Sequence, residues 1–304
     1  MIGIILILIA AVFFQGIIIR TKSIASGRKG PGVFQPMKDL GVLLRKGSVF
    51  SSTTGIIFRI APSIGLASVL VAMLLVPFGS QPAVISFGGD FVFFAYLLAL
   101  GKFMLIIAAL DCGSSFEGMG ANREALFSML VEPAFFILIG TFAMFTGYTS
   151  FSEIFNNFHF TDNNYLLIFI VISFYLLIQI AMIENSRLPI DDPKTHLELT
   201  MIHEVMILDY SGFDKALIHI TGFLKFAIYG ALMTAVIVPT EWSLSWQIIL
   251  FLVIQFFFAV TIGLNESFRA RYKMGRNPQY VLTLSAIALV AFVIILILTG
   301  KLIQ

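Results

Sequence analysis

Runs of about 18 or more mostly apolar residues recur along nearly the whole 304-residue chain, and no other feature restricts its fold so strongly. At about 1.5 Å rise per residue, each run is long enough to cross a hydrocarbon core of about 30 Å. A backbone crossing lipid has no water to bond, so each span must satisfy its own N–H and C=O groups, as a helix does. The runs place spans near 2–19, 60–78, 92–110, 125–147, 164–183, 216–238, 246–264 and 280–299. The fold class read from them is an all-α polytopic membrane protein of about eight transmembrane helices. Composition agrees: 59% of residues are hydrophobic and 12% charged, and mean hydropathy is +0.97. An ordinary soluble domain is nearer half apolar and a quarter charged. No soluble domain of useful size can be cut out, so residues 1–304 read as one membrane domain, with loops at 20–59, 111–124, 184–215 and 265–279. Residues Ile2 to Ile19 lack both a basic leader and a small-residue cleavage site, which reads as an uncleaved first span.

The charges outside the spans report orientation. Arg20, Lys22, Arg28, Lys29, Lys38, Arg45, Lys46 and Arg59 follow the first span, and Arg269, Arg271, Lys273 and Arg276 follow the seventh. The alternate loops carry Asp90, Glu153, Asp162 and Glu241 but no Lys or Arg. The positive-inside rule makes the basic loops cytoplasmic and sets both termini outside. A net charge of +2 is too small to point to a nucleic-acid partner. The single Cys112 excludes an internal disulfide and leaves no Cys-rich cluster or zinc site to expect. From Gln35-Pro36 to Lys46, Met37, Leu40 and Leu44 fall at helical spacing among charges, which predicts an interfacial amphipathic helix or a simple surface anchor. Asp192 followed by Pro193 predicts the start of a helix running to about Leu208.

Familiar catalytic motifs fail on single residues. His203-Glu204 opens like a zinc-protease helix, but the second histidine's place is Ile207. Gly118 and Gly120 would need a third glycine where Arg123 stands, and they follow a span rather than a strand. Asp191, Asp192, His196, Glu198, His203 and Glu204 contain metal-ligating types, but polar clusters in such loops are usually solvated or docked, so no metal is expected.

Charges within the spans carry more information, because an ion at mid-membrane costs several kcal/mol unless paired, hydrated or protonated. These are Lys102, Glu132 and Lys225. Glu132, followed by Pro133, lies about eight residues, or about 12 Å, into its span, too deep for so short a side chain to snorkel. It is either a structural partner of a lysine or a protonatable relay. Lys102 and Lys225 are either partners of a buried carboxylate or proton carriers. Glu184, Arg187, Asp191, Asp192, Glu198 and Glu204 form a charged loop that either feeds protons toward Glu132 or is a docking surface.

At these residues the chain resembles a known family. Gly27-Arg28-Lys29-Gly30-Pro31-Gly32-Val33-Phe34-Gln35-Pro36-Met37-Lys38-Asp39 resembles the Arg-x-Gly-Pro, Gln-Pro and Asp signature of respiratory complex I subunit 1. Asn122-Arg123 through Val131-Glu132 is similar to that family's Leu-Arg and Tyr-Glu-Val stretch, and Glu184-Asn185-Ser186-Arg187-Leu188-Pro189-Ile190-Asp191 to its Glu-x-Asn-Arg-x-Pro-Phe-Asp loop. The stretch from Asp191-Asp192-Pro193 through Thr195-His196-Leu197-Glu198 to His203-Glu204 looks like the membrane subunit of formate hydrogenlyase and hydrogenase-4, within the energy-converting nickel–iron hydrogenases. The resemblance implies a non-catalytic subunit of a prokaryotic cytoplasmic membrane complex. It implies partners: hydrophilic hydrogenase large and small subunits, iron–sulfur subunits and antiporter-like membrane subunits. Iron–sulfur clusters and the nickel–iron centre would belong to those partners, with no cofactor in this chain. Glu132, Lys102, Lys225, Glu184, Asp191, Asp192, Glu198 and Glu204 would then lie on the coupling path, and Arg28, Gln35, Pro36, Asp39, Arg123, Arg187, His196 and His203 would shape or dock the loops. The same resemblance makes a quinone ligand doubtful.

Overall fold

The computed structural model describes residues 2–158, 164–191, 201–238 and 241–298. Its helices are α1 (Ile2–Ala25), α2 (Gln35–Arg45), α3 (Ile56–Leu74), α4 (Asp90–Asp111), α5 (Ser115–Thr146), α6 (Phe151–Asn157), α7 (Asn164–Glu184), α8 (His203–Met206), α9 (Gly212–Ile237), α10 (Leu244–Phe268) and α11 (Asn277–Leu298). Among the described residues eight helices are long and apolar enough to cross a bilayer, as the apolar runs predict. The chain is a multi-pass membrane protein.

Contacts between helix ends show the expected alternation. At one end Gly3 lies against Phe78, Ser80 N–H donates to Gln247 Oε1 at 3.3 Å, and Ser150 Oγ donates to Asp90 Oδ2 at 2.8 Å. At the other, Val49 N–H donates to Ser211 Oγ at 2.9 Å, Gly55 N–H to Asp111 Oδ2 at 2.6 Å, and Tyr272 N–H to Pro189 O at 3.0 Å. The second end collects the Lys- and Arg-rich loops and is called the basic end below.

Helix α9 is the hub. In its most apolar stretch 72% of the residues are buried, against 22% for α4, and it packs on α1, α2, α3, α7 and α10. A helix apolar all round belongs inside. The aromatic contacts Phe14–Phe226 and Phe14–Phe258, with centroids 5.3 and 5.1 Å apart, tie α1 to α9 and α10. Helix α2 forms where the spacing placed it, with Pro36 in its first turn. Pro36 and Leu40 are buried on the side toward α1 and α9, while Val42 and Leu44 face outward. An interfacial helix needs both an apolar edge for protein and one for lipid.

Two sequence expectations change. The span expected from 125 begins at Ser115, so most of the supposed loop 111–124 is helix and Arg123 sits on it; its charges, not a break in helical backbone, ended the apolar run. The helix expected from Asp192 to Leu208 falls partly outside the described residues. In the described part only His203–Met206 is helical, and Ile207 has left helical geometry at ψ 15°. This segment is held against α5 at Gly120, where a Cβ would stand 2.8 Å from Ile202 O and 2.2 Å from Val205 Cγ1. Gly120→Ala is therefore expected to overpack the contact and lower stability by about 1–3 kcal/mol. Gly118→Ala, whose Cβ would meet nothing nearer than 3.9 Å, should leave stability unchanged or gain about 0.5–1 kcal/mol. Thermal unfolding in detergent distinguishes the two.

Candidate functional site

Small residues let α3 and α4 close on each other next to the site. A Cβ at Gly101 would stand 2.5 Å from Ser68 Oγ and 3.4 Å from Gly65 Cα. The following residue, Lys102, is 7% exposed, and its Nζ lies 3.2 Å from Glu124 Oε1 of α5 and 3.1 Å from Glu184 Oε2 at the end of α7. Lys225 Nζ of α9 approaches the same Glu184 oxygen at 3.8 Å. Ser186 Oγ donates to the second Glu124 oxygen at 2.9 Å. Two ammonium groups and two carboxylates thus form a buried cluster drawn from α4, α5, α7 and α9. In so dry a setting each charge depends on the others, because desolvation is repaid only by close opposite charges and hydrogen bonds.

A cavity lies on each side of this cluster. One, of about 290 Å³, is lined by Lys102, Ser128, Glu132, Glu184 and Tyr229 between apolar walls that include Phe94, Leu98 and Phe135. The other, of about 90 Å³, is lined by Lys102, Glu124, Glu184, Asn185, His203, Thr221 and Lys225, reaching the loop segment at the basic end. The cluster is the partition between them. Glu124, Ser128 and Glu132 recur at four-residue spacing, so α5 presents them along one face. Ser128 Oγ is buried without a hydrogen-bond partner.

Of the two readings left open for Glu132, the ion pairs do not bear out partnership with Lys102 or Lys225. Among the described ion pairs both lysines go to Glu184, Lys102 also goes to Glu124, and Glu132 is half-buried on the larger cavity. Glu132 is about two turns beyond Glu124, whose carboxylate occupies the place beside Lys102. Glu124 was concealed within the supposed loop; its eight-residue spacing from Glu132 is the signal that marks it.

A second ionic group stands beside the first. Glu266 of α10 accepts from Lys22 Nζ at 2.7 Å and Arg187 Nη1 at 3.2 Å, while Arg187 Nη2 donates to Gln15 Oε1 at 2.8 Å. The Arg187 guanidinium also lies 5.4 Å from the Phe226 ring centre. Arg28 lines a groove with Lys22, Lys29 and Glu266. Sequence reasoning singled out Arg187 and Arg28 but not Glu266, Lys22 or Gln15 as site residues, because Glu266 is far along the chain from its partners.

The remaining candidates hold loops. Asp191 is buried, accepts from Ile202 and His203 N–H at 3.1 and 3.0 Å, and pairs with Arg271 Nη2 at 3.0 Å. Burial pushes its carboxyl above the usual range, against those bonds and the arginine. Arg123 Nη1 donates to Met201 O at 3.1 Å. Gln35 Nε2 donates to Asp39 Oδ1 at 2.8 Å along α2. His203 lines the smaller cavity, and Glu204 is half-buried on α8. Asp192, His196 and Glu198 lie outside the described residues. Among the described residues, metal-ligating side chains gather away from that loop cluster, at Cys112, Glu117 and Asp209.

Comparison with known proteins places this arrangement. Residues 1–298 match the family model described as NADH dehydrogenase. Hydrogenase-4 component C of Escherichia coli (strain K12) is 28% identical over 93% of this chain and 92% of its own. Formate hydrogenlyase subunit 4 of the same strain is 27% identical over 88% and 89%. An NADH-quinone oxidoreductase subunit of Bordetella avium (strain 197N) is 24% identical over 82% and 72%. The fold is shared with a chain in the structure of the membrane-bound sulfane sulfur reductase, an archaeal respiratory membrane complex, with TM-score 0.81, 17% identity and 96% of each chain covered.

Removing the central ammonium leaves two buried carboxylates facing each other. Lys102→Met is expected to destabilise the protein by about 3–5 kcal/mol. Adding Glu124→Gln, which leaves Glu184 paired with Lys225, should recover most of the loss, as read by thermal unfolding in detergent.

Proposed function

The chain belongs to the NADH dehydrogenase family, and from that premise we propose that it is the membrane subunit of a proton-reducing nickel–iron hydrogenase complex of the formate hydrogenlyase type. Its role is to seat the hydrophilic redox subunits and couple their turnover to proton or sodium translocation. The named relatives that match over most of both chains support the hydrogenase side of this reading. The basic end faces the cytoplasm, where the positive-inside rule sets it and where the hydrogenase and iron–sulfur subunits dock. Those partners carry the metal centres that form hydrogen; this chain supplies the charge path to the antiporter-like membrane subunits.

One observation carries the coupling role: the buried cluster of Lys102, Glu124, Glu184 and Lys225 separates a cavity at the loop segment from one reaching Glu132. Glu184 ends α7 and leads directly into Ser186 and Arg187, which bond Glu124 and Glu266. Movement of the docked module at this loop changes how Glu184 is shared between the two lysines. A carboxylate losing part of its cationic partner takes up a proton more readily, and Glu132 across the larger cavity passes it onward. Asp191, with Asp192, Glu198 and Glu204 nearby in sequence, lies on the loop side of this path.

The Bordetella avium relative favours a second reading, a quinone-site subunit of a complex I-type oxidoreductase. Nickel in the complex purified with this chain supports the first, and quinone reduction without nickel supports the second. A passive anchor is the third, and Glu132→Gln in the assembled complex tests it. Coupling through Glu132 predicts that ion translocation is lost while hydrogen turnover persists. Unchanged translocation at normal turnover removes the relay role.

A further inference from the structure

We infer that Cys112, Glu117 and Asp209 form a binding site for a divalent cation of the zinc type, which clamps the α4–α5 corner to the end of the long loop. Cys112 closes α4, Glu117 lies in the first turn of α5, and Asp209 follows α8. One ligand atom from each lies within 4.8 Å of the other two. Zinc–sulfur and zinc–oxygen bonds of about 2.3 and 2.0–2.2 Å need tetrahedral ligands about 3.5 Å apart. Asp209 is exposed, so it has room to make the closing approach, while Cys112 and Glu117 are 6% and 1% exposed.

The independent mark of a missing ligand is Glu117. Its Oε1 accepts the Asp209 N–H at 3.3 Å, but Oε2 is buried with no hydrogen bond, because the adjacent Cys112 thiol donates instead to Ala108 O at 3.4 Å. None of the ion pairs among the described residues includes Glu117. A buried carboxylate oxygen without donor or counter-ion is costly, and a bound cation relieves it. The sulfur ligand favours zinc, cobalt or ferrous iron over magnesium or calcium, and the exposed side leaves the fourth position to water.

Binding involves no redox change. The Cys112 S–H bond breaks, an S–metal bond forms, and one proton goes to solvent for each cation taken up. The site is distinct from the coupling cluster, since Glu117 precedes Glu124 by about two turns of α5. It revises the expectation that a lone cysteine leaves the chain no zinc site, and it does not depend on the hydrogenase reading.

The test is cobalt(II) titration of the chelator-treated detergent complex, followed by thiolate-to-cobalt charge-transfer absorption and referenced to Cys112→Ser complex, so that partner-subunit metals cancel. One cobalt per complex is expected, giving a band absent from Cys112→Ser and displaced by zinc but not by magnesium. Asp209→Asn, at an exposed position that leaves the fold intact, should weaken binding by at least about tenfold. Absence of a Cys112-dependent band, or unchanged affinity in Asp209→Asn, overturns the proposal. Should Cys112→Ser fail to assemble, Asp209→Asn and zinc competition still decide it.

Discussion

A lysine ammonium persists inside a membrane protein only where carboxylates replace the water it has lost, and Lys102 meets that condition with Glu124 and Glu184 at 3.2 and 3.1 Å. The rest of the site follows from it. Glu184, at the end of α7, must stay near the interior, which holds the loop beginning at Asn185 over the bundle. Glu124 sets the rotation of α5, and that rotation places Ser128 and Glu132 on the larger cavity. Lys225, 3.8 Å from Glu184, anchors the same pair to α9, on which α1, α2, α3, α7 and α10 pack.

The described parts of the loop segment are fastened at several points. Ser186 bonds Glu124, Arg187 bonds Glu266 and Gln15, Asp191 holds the chain at Ile202 and His203, and Arg123 holds Met201. These bonds join the loop to α1, α5 and α10 or to its own distal part. Under the proposed coupling role, a segment tied this way passes its displacement to the buried charges bonded to it. That is the physical basis for reading the protein as a coupler between a redox module and the membrane.

Much of this was legible in the sequence, for definite reasons. Apolar length marked all eight long helices, since bilayer thickness sets a scale that local propensity does not. The spacing of Met37, Leu40 and Leu44 after Gln35-Pro36 marked α2. The rarity of charge within apolar runs pointed to Lys102 and Lys225 as members of the site. Pairing was not legible. Glu124 lay hidden because Arg123 and Glu124 together end the hydropathy signal while the helix continues to Ser115. Glu266 and Lys22 are joined only by tertiary packing, 244 positions apart. The partner of Lys102 depends on helix rotation, which neither hydropathy nor charge counting reports.

In the proposed coupling, the carboxylate shared by Lys102 and Lys225 transmits turnover into ion movement. Glu184→Gln keeps the side chain's shape and leaves Lys102 beside Glu124, so the assembled complex can be reconstituted in liposomes and ions moved per hydrogen formed measured directly. Coupling through Glu184 predicts continuing hydrogen formation with that ratio falling to near zero. An unchanged ratio at normal turnover would contradict it.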